Sequence, residues 1–299
     1  MPQPSAREVG VQEVARAEPS RVAKGDVTVV LPVLNEEEGL AAVVDELHGL
    51  GYWRILAVDG YSTDRTLEVA RRKGVDVIQQ TGKGKTGAVR TAIEHVSTPY
   101  MLVMDADFTY DARDIERFLD RSGRYDEVVG VRRRENIGRV HMVGNSIITG
   151  VFNFLFGVRV SDVCSGMYML KTSSAKQLEL VTEGFDIEVE VLAQVAARGM
   201  VGEVAINYRS RLGSRKLAWK DGFTILSTTL NLARVYRRLS LCSLLAGLLP
   251  IVGFGMLSWV YSSWATRGLF HGGWAVIGGV SLLGGCVARI IPERSRSEL

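Results

Sequence analysis

Leu239 to Trp264 is a run of 26 residues without a single charged side chain. In helix it exceeds the roughly 20 apolar residues needed to cross a bilayer core. Pro250 falls inside the run, and neighbouring helices can satisfy the carbonyl it frees. Gly268 to Ala288 is a second stretch without Asp, Glu, Lys or Arg, with the glycine pairs Gly272–Gly273, Gly278–Gly279 and Gly284–Gly285. Such pairs let two helices pack closely. Residues 239–291 are therefore read as a two-helix transmembrane hairpin, with a buried core helix pair as the alternative. Arg234, Arg237 and Arg238 precede the first span and Arg289, Arg294 and Arg296 follow the second, while the connection holds only Arg267 and His271. The positive-inside rule then puts both ends of the hairpin, the large N-terminal region and the tail 292–299 on the cytoplasmic side.

A chain of 299 residues with 46% hydrophobic content is expected to build one main domain plus this appendage. Its net charge of +3 is too small to point to nucleic acid as the main partner. The charge is uneven: eight basic residues lie between Arg209 and Arg238 against one acid, Asp221. That cluster suits phosphates or an anionic membrane surface, and otherwise is a solvated helix face. Within 219–238, Phe223 to Tyr236 mixes apolar and polar residues at helical spacing, as an interfacial helix on lipid headgroups would. Residues 1–24, with Pro2, Pro4 and Pro19, are expected to be a polar flexible leader rather than a secretion signal. Cys164, Cys242 and Cys286 lie far apart and suggest neither a disulfide framework nor a zinc site.

The region 25–218 alternates apolar runs of strand length with helical patterns. Val27–Val33, Arg54–Val58, Val75–Gln79, Tyr100–Met104 and Val128–Val131 are the expected strands. Between them the polar start Asn35–Glu38, the stretch Thr63–Arg72 and Thr86–Val96 are expected helices. Repeated β-α units with apolar strands point to an α/β fold with a mostly parallel sheet flanked by helices. Ligands of such sheets bind at the carboxyl ends of the strands.

Several polar residues fall at those ends. Asp105 and Asp107 follow Tyr100–Met104 one residue apart, and alternation points both side chains the same way. Two carboxylates so close repel unless a cation joins them. Mg²⁺ or Mn²⁺ would take their oxygens and share them with a diphosphate; a helix cap is the other reading. Asp59, in Val-Asp-Gly-Tyr-Ser-Thr-Asp, either accepts hydrogen bonds from a nucleoside or stabilises its own turn. Lys83, Lys85 and Arg90 belong to a glycine-rich basic turn suited to a diphosphate. The turn is not a nucleotide-hydrolase P-loop, because Gln79 stands where its leading glycine is required.

The ordered set Pro32-Val33-Leu34-Asn35-Glu36, Val58–Ser62, Gly82–Lys85 and Met104–Asp107 resembles the family-2 glycosyltransferases. Asp162–Met167, Phe185–Glu190 and Tyr208–Leu217 resemble the branch containing dolichol-phosphate mannose synthases, above all archaeal dolichol-phosphate hexose and N-acetylhexosamine transferases. The likeness runs from about Val27 to Leu217. It implies a Rossmann-like GT-A domain, a nucleotide-sugar donor (a UDP-sugar or GDP-mannose), a polyprenyl or dolichyl phosphate acceptor and a Mg²⁺ or Mn²⁺ ion. Pro32, Asn35, Glu36, Asp59 and Gly60 would border the donor's nucleoside. Asp105 and Asp107 would hold the metal, with Ala106 along the nucleotide. Arg132 would lie near a donor or acceptor phosphate, and Asp162 and Ser165 on the acceptor side. Arg211, Ser214, Arg215 and Lys216 would form the basic loop over both phosphates. Gly60 stands where mannose synthases carry a second acid, and Arg215 is an added charge; both departures weaken a specific assignment to GDP-mannose, and the one at Gly60 slightly favours a UDP-sugar.

A phosphate acceptor is already anionic and needs no general base, so the implied reaction is one inverting displacement stabilised electrostatically. The alternative, transfer to a lipid or glycan hydroxyl, would need Asp162 or Glu190 as base. A donor-binding membrane sensor without turnover is the non-enzymatic alternative.

Overall fold

The computed structural model describes residues 21–133, 139–182, 184, 186–212, 221–236, 241–267 and 271–290. Among the described residues seven strands form one sheet in the order β3-β2-β1-β4-β6-β5-β7. They are β1 (Val27–Val33), β2 (Ile55–Asp59), β3 (Asp76–Gln79), β4 (Tyr100–Val103), β5 (Glu127–Arg132), β6 (Tyr168–Lys171) and β7 (Val201–Ile206). The parallel pairs β1–β2, β2–β3, β1–β4 and β5–β7 bear out the expected parallel sheet. β6 is antiparallel to both β4 and β5. Neither β6 nor β7 stands among the strands read from the sequence.

The alternation of β1 explains its place at the centre. Val27, Val29, Leu31 and Val33 enter one core cluster with Leu40, Leu47 and Phe118, whereas Val30 enters the other with Val89, Ala92 and Val191. Each fully buried aliphatic side chain contributes about 1.5–3 kcal/mol. Helices α1 (Glu37–Gly49), α2 (Thr66–Arg72) and α4 (Ile115–Ser122) cover the first face; α3 (Gly84–His95) and α7 (Ile187–Arg198) cover the second. A third cluster joins α5 (Arg139–Phe156), α7 and α8 (Asp221–Tyr236) through Phe152, Leu192 and Leu232. The single turn α6 (Thr172–Ala175) follows β6.

Topology brings the polar segments together. The chain moves outward from β1 to β3, then returns to the other side of β1 with β4, so the sheet order reverses between β1 and β4. Because β6 runs backwards, the loop that precedes it, 162–167, arrives at the carboxyl end of β4. β7 runs parallel to β5 and delivers residues 207–212 to the same rim. Pro32 is tolerated in the central strand because β4 pairs with β1 only as far as Val30.

α8 lies within the expected segment 219–238. It buries Ile225, Leu232 and Ala233 in the domain and leaves Leu230 and Val235 exposed. α9 (Leu241–Arg267) and α10 (Gly272–Ile290) pack along one another where Gly253 and Gly278 meet. A Cβ on Gly253 would fall 2.5 Å from the Gly278 carbonyl oxygen. Within α9, Gly247–Thr266 is long and apolar enough to cross a membrane; the apolar part of α10, Trp274–Leu283, is shorter.

Two outcomes follow from packing and burial. A Cβ at Gly39 would lie 2.5 Å from the Ala106 carbonyl oxygen and 2.8 Å from Asp107 Cα. Gly39→Ala is expected to cost about 1–3 kcal/mol by overpacking, read as a lower Tm in thermal denaturation. Glu127 is buried in the sheet with Oε2 unpartnered, and burial pushes its carboxyl up to about 8. The folded state then keeps a proton that the unfolded state sheds, so stability falls as pH rises from the ordinary glutamate range to about 8. Glu127→Gln is expected to exceed the parent protein in stability by on the order of a few kcal/mol above that pH. By pH 4 the two should coincide; an equal gain at both ends of a denaturation series would contradict the assignment.

Candidate active site

At the ends of β1 and β2 two turns are laced together. Asn35, in a left-handed conformation with φ 50°, accepts hydrogen bonds on Oδ1 from the Thr63 amide (2.7 Å) and hydroxyl. The Glu36 amide donates to Thr66 Oγ1 at 2.8 Å. Asp59 is fully buried, and its carboxylate accepts from the Tyr61 and Ser62 amides at 3.0 and 3.1 Å. Asp59 thus stabilises its own turn and holds Tyr61 at φ 67°. A Cβ at Gly60 would lie 3.3 Å from both Gln80 Oε1 and the Val33 carbonyl oxygen, so the turn is tight at that position. Lys83 stands exposed before α3.

Beyond β4, Ala106 packs into the core while Asp105 and Asp107 face the polar side. Lys85, one residue into α3, places Nζ 2.5 Å from Asp105 Oδ1 and 2.5 Å from Glu188 Oε1 on α7. Burial alone would lower the Lys85 ammonium, but Asp105 and Glu188 outweigh it and hold it well above the usual lysine range. Asp107 accepts from the Thr109 amide (3.0 Å) and hydroxyl (2.5 Å) on Oδ1, and Oδ2 lies 3.1 Å from Arg211 Nη1. Burial raises the Asp107 carboxyl, and the neighbouring charge of Asp105 raises it further. Arg211 also donates to Glu36 Oε1 at 2.6 Å. Its segment is zipped to the acids by main-chain bonds from Arg209 N to Thr109 O (2.7 Å) and Leu212 N to Asp107 O (3.0 Å). The expected meeting of acid pair and basic loop is realised up to Leu212. Ser214, Arg215 and Lys216 lie outside the described residues.

Arg132 ends β5 and forms a two-pronged pair with Asp162, Nε to Oδ2 at 2.7 Å and Nη2 to Oδ1 at 2.8 Å. Asn145 of α5 donates to the same carboxylate at 3.0 Å. Both lie in a cavity of about 380 Å³ lined further by Met142, Thr149, Gly150 and Val160. The Arg132 guanidinium stands 5.4 Å from the Tyr208 ring centre, Tyr208 contacts Tyr110 edge to face, and Tyr110 Oη accepts from the Gly166 amide at 2.7 Å. Gly166 abuts Asp105: a Cβ there would sit 2.4 Å from Asp105 Oδ2. These packed side chains link Arg132, on the cavity wall, to the acid pair. Ser165 is buried beside them.

Glu190 is placed differently from a base. It is fully buried and accepts from the Val181 and Thr182 amides at 2.9 and 3.1 Å and from the Thr182 hydroxyl at 2.7 Å. Asp162, likewise, is committed to Arg132 and Asn145. Lys85, expected only as part of a basic turn suited to a diphosphate, pairs with Asp105 directly, and Glu188, which was assigned no role of its own by sequence, reaches the acid pair through Lys85. Glu188 sits two residues before Glu190, a spacing that on a helix points the two side chains to different sides. The motif Phe185–Glu190 was the available signal; which of its acids faces Asp105 is decided by how α7 docks.

A divalent cation fits Asp105 and Asp107 as a two-carboxylate anchor. Asp105 keeps a third of its side chain exposed, and Asp107 is a buried acid whose shift a nearby positive charge would relieve. Among the described residues no group of three or more His, Cys, Asp or Glu forms a metal cage. The remaining oxygens would come from a bound ligand and water.

Residues 28–178 match the family model "Glycosyl transferase family 2". Glycosyltransferase AglJ of Haloferax volcanii is 32% identical over 268 residues, covering 86% of this chain and 88% of that protein. The dolichyl-phosphate hexose transferase of the same organism is 34% identical over 199 residues, covering 64% and 86%. The structure of glucosyl-3-phosphoglycerate synthase from Mycobacterium tuberculosis, in complex with Mn²⁺, UDP-glucose and phosphoglyceric acid, superposes with a TM-score of 0.59. It is 19% identical, and the match covers 72% of this chain and 80% of that one, which establishes a shared GT-A-type fold. With a family model over half its length and a relative matched almost end to end, this chain belongs to glycosyl transferase family 2.

Proposed function

We propose that this glycosyltransferase moves a sugar from a nucleotide-sugar donor, a UDP-sugar or GDP-mannose, to a polyprenyl phosphate such as dolichyl phosphate. The observation that carries the reading is the linkage of the Asp105–Asp107 pair, through Gly166, Tyr110 and Tyr208, to a cavity holding Arg132. One end suits a metal-bound diphosphate and the other a second phosphate. α5, which lines the cavity, also exposes Val143, Ile147 and Phe154, an apolar face suited to a lipid chain. The relative named dolichyl-phosphate hexose transferase supports the acceptor class.

Asp105 and Asp107 would hold Mg²⁺ or Mn²⁺, which when bound neutralises the leaving diphosphate. Glu36, Asp59 and the strained turn at Tyr61 would border the nucleoside. Arg211, with Ser214, Arg215 and Lys216 beyond it, would close over the donor diphosphate. Arg132 would orient the acceptor phosphate in line with the anomeric carbon, its own position fixed by Asp162. The acceptor oxygen attacks as an anion, the bond to the nucleoside diphosphate breaks, and the configuration inverts. No proton has to be removed, which agrees with Asp162 and Glu190 being engaged in protein contacts.

The exposed apolar side chains of α9 and α10, among them Ile251, Phe254, Val276 and Val280, support membrane anchoring. The flanking arginines support a catalytic domain on the cytoplasmic face, with α8 at the lipid surface.

Asp107→Asn is expected to lower transfer of radiolabelled sugar to dolichyl phosphate by about 10²–10³, the loss typical of a transition-state charge stabiliser; undiminished transfer with Mg²⁺ or Mn²⁺ would exclude the metal role. Arg132→Ala is expected to raise the acceptor KM at least about tenfold, and Arg132→Lys to rescue it only in part because a two-pronged contact is lost. The product should be acid-labile, as a glycosyl phosphate is; an acid-stable glycoside would replace the phosphate acceptor by a hydroxyl.

A further inference from the structure

Each acid of the pair is neutralised by a side-chain cation that a second buried acid also grips. Arg211 bridges Asp107 and Glu36 at 3.1 and 2.6 Å; Lys85 bridges Asp105 and Glu188, both at 2.5 Å. The two bridges differ in freedom. Arg211 reaches in from a loop with a quarter of its side chain exposed. Lys85 stands on the first turn of α3 with 11% exposure, and Glu188 stands on α7 with 9%. Gly166 closes the remaining side, since a Cβ there would lie 3.0 Å from Lys85 Nζ. The ammonium is therefore confined between two carboxylates.

A cation confined there competes with any ion that takes the same carboxylate. Two like charges a few ångströms apart in a partly buried site repel far more than they would in bulk water. We infer that Lys85, held in place by Glu188, is the built-in counter-ion of Asp105 and makes divalent-cation binding depend on the nucleoside diphosphate. Without nucleotide, Lys85 occupies Asp105 and disfavours the ion. With nucleotide, the diphosphate offers the ammonium a second anion, Lys85 loosens its hold on Asp105, and Glu188 keeps it at the site. Glu188 is thus a positioning residue that acts through Lys85. The inference rests on the metal role proposed for Asp105, but its readout is binding rather than turnover.

The test is an electron paramagnetic resonance titration of Mn²⁺ into the full-length protein in detergent, alone and with UDP or GDP. For Lys85→Gln, Mn²⁺ alone is expected to bind about tenfold tighter, with the nucleotide's tightening effect reduced by the same factor, an ordinary size for coupling between ligands. Lys85→Arg, which keeps the charge, is expected to behave as the parent. Glu188→Gln, which leaves Lys85 wholly on Asp105, is expected to weaken Mn²⁺ alone several-fold. Mn²⁺ affinity that is unchanged or weaker in a folded Lys85→Gln protein overturns the inference while leaving the metal site standing. Should that variant fail to fold, an unchanged affinity in Glu188→Gln overturns it. Failure of every form to bind Mn²⁺, with or without nucleotide, sinks the metal role itself.

Discussion

The structure is organised around the repulsion between Asp105 and Asp107. Two carboxylates one residue apart at the end of a buried strand are unstable unless positive charge is supplied, and each supplier comes from a distant part of the chain. Lys85 arrives on α3, Arg211 on the segment after β7, and Glu188 and Glu36 hold those cations from α7 and the start of α1. Docking errors in any of these elements would leave a buried charge unpaired, a cost large enough to penalise the alternative arrangement. Gly39 and Gly166 allow this convergence because a side chain at either would strike the acid loop.

Backbone strain is concentrated at the same rim. Asn35, Tyr61 and Phe108 adopt positive φ, and they follow β1, β2 and β4 respectively. Such conformations cost of order 1–3 kcal/mol each for ordinary residues. Asn35, Asp59 and Asp107 offset this cost by accepting backbone hydrogen bonds within or between the turns. Their polar side chains are therefore structural before any ligand arrives. Of the two readings of Asp59 open in the sequence, the structure displays the turn residue: its carboxylate is fully buried and accepts the Tyr61 and Ser62 amides.

Much was legible in the sequence because it is written locally. The β1–β5 strands, the helices between them and the polar residues at strand ends follow from apolar periodicity and turn chemistry, with helix starts displaced by a few residues: α2 begins at Thr66 and α3 at Gly84. The antiparallel β6 was not legible, since strand direction depends on which neighbour supplies the hydrogen bonds. The pairing of Asp162 with Arg132 was equally hidden: the two are thirty residues apart and carry no periodic relation. Glu190 shows the limit of a motif, for its buried carboxylate serves the 181–182 loop, whereas Glu188 reaches the site.

By itself the sequence determined the α/β class, the apolar C-terminal helices, the family and the acid pair, because each depends on side chains close along the chain. Tertiary structure alone decided which cation meets which acid, that Asp162 and Glu190 are engaged, and that Arg132 is linked to Asp105 through Tyr208, Tyr110 and Gly166. Those facts depend on Coulomb and steric contacts across helices and strands, whose strength is set by distance in space and burial rather than by separation in sequence.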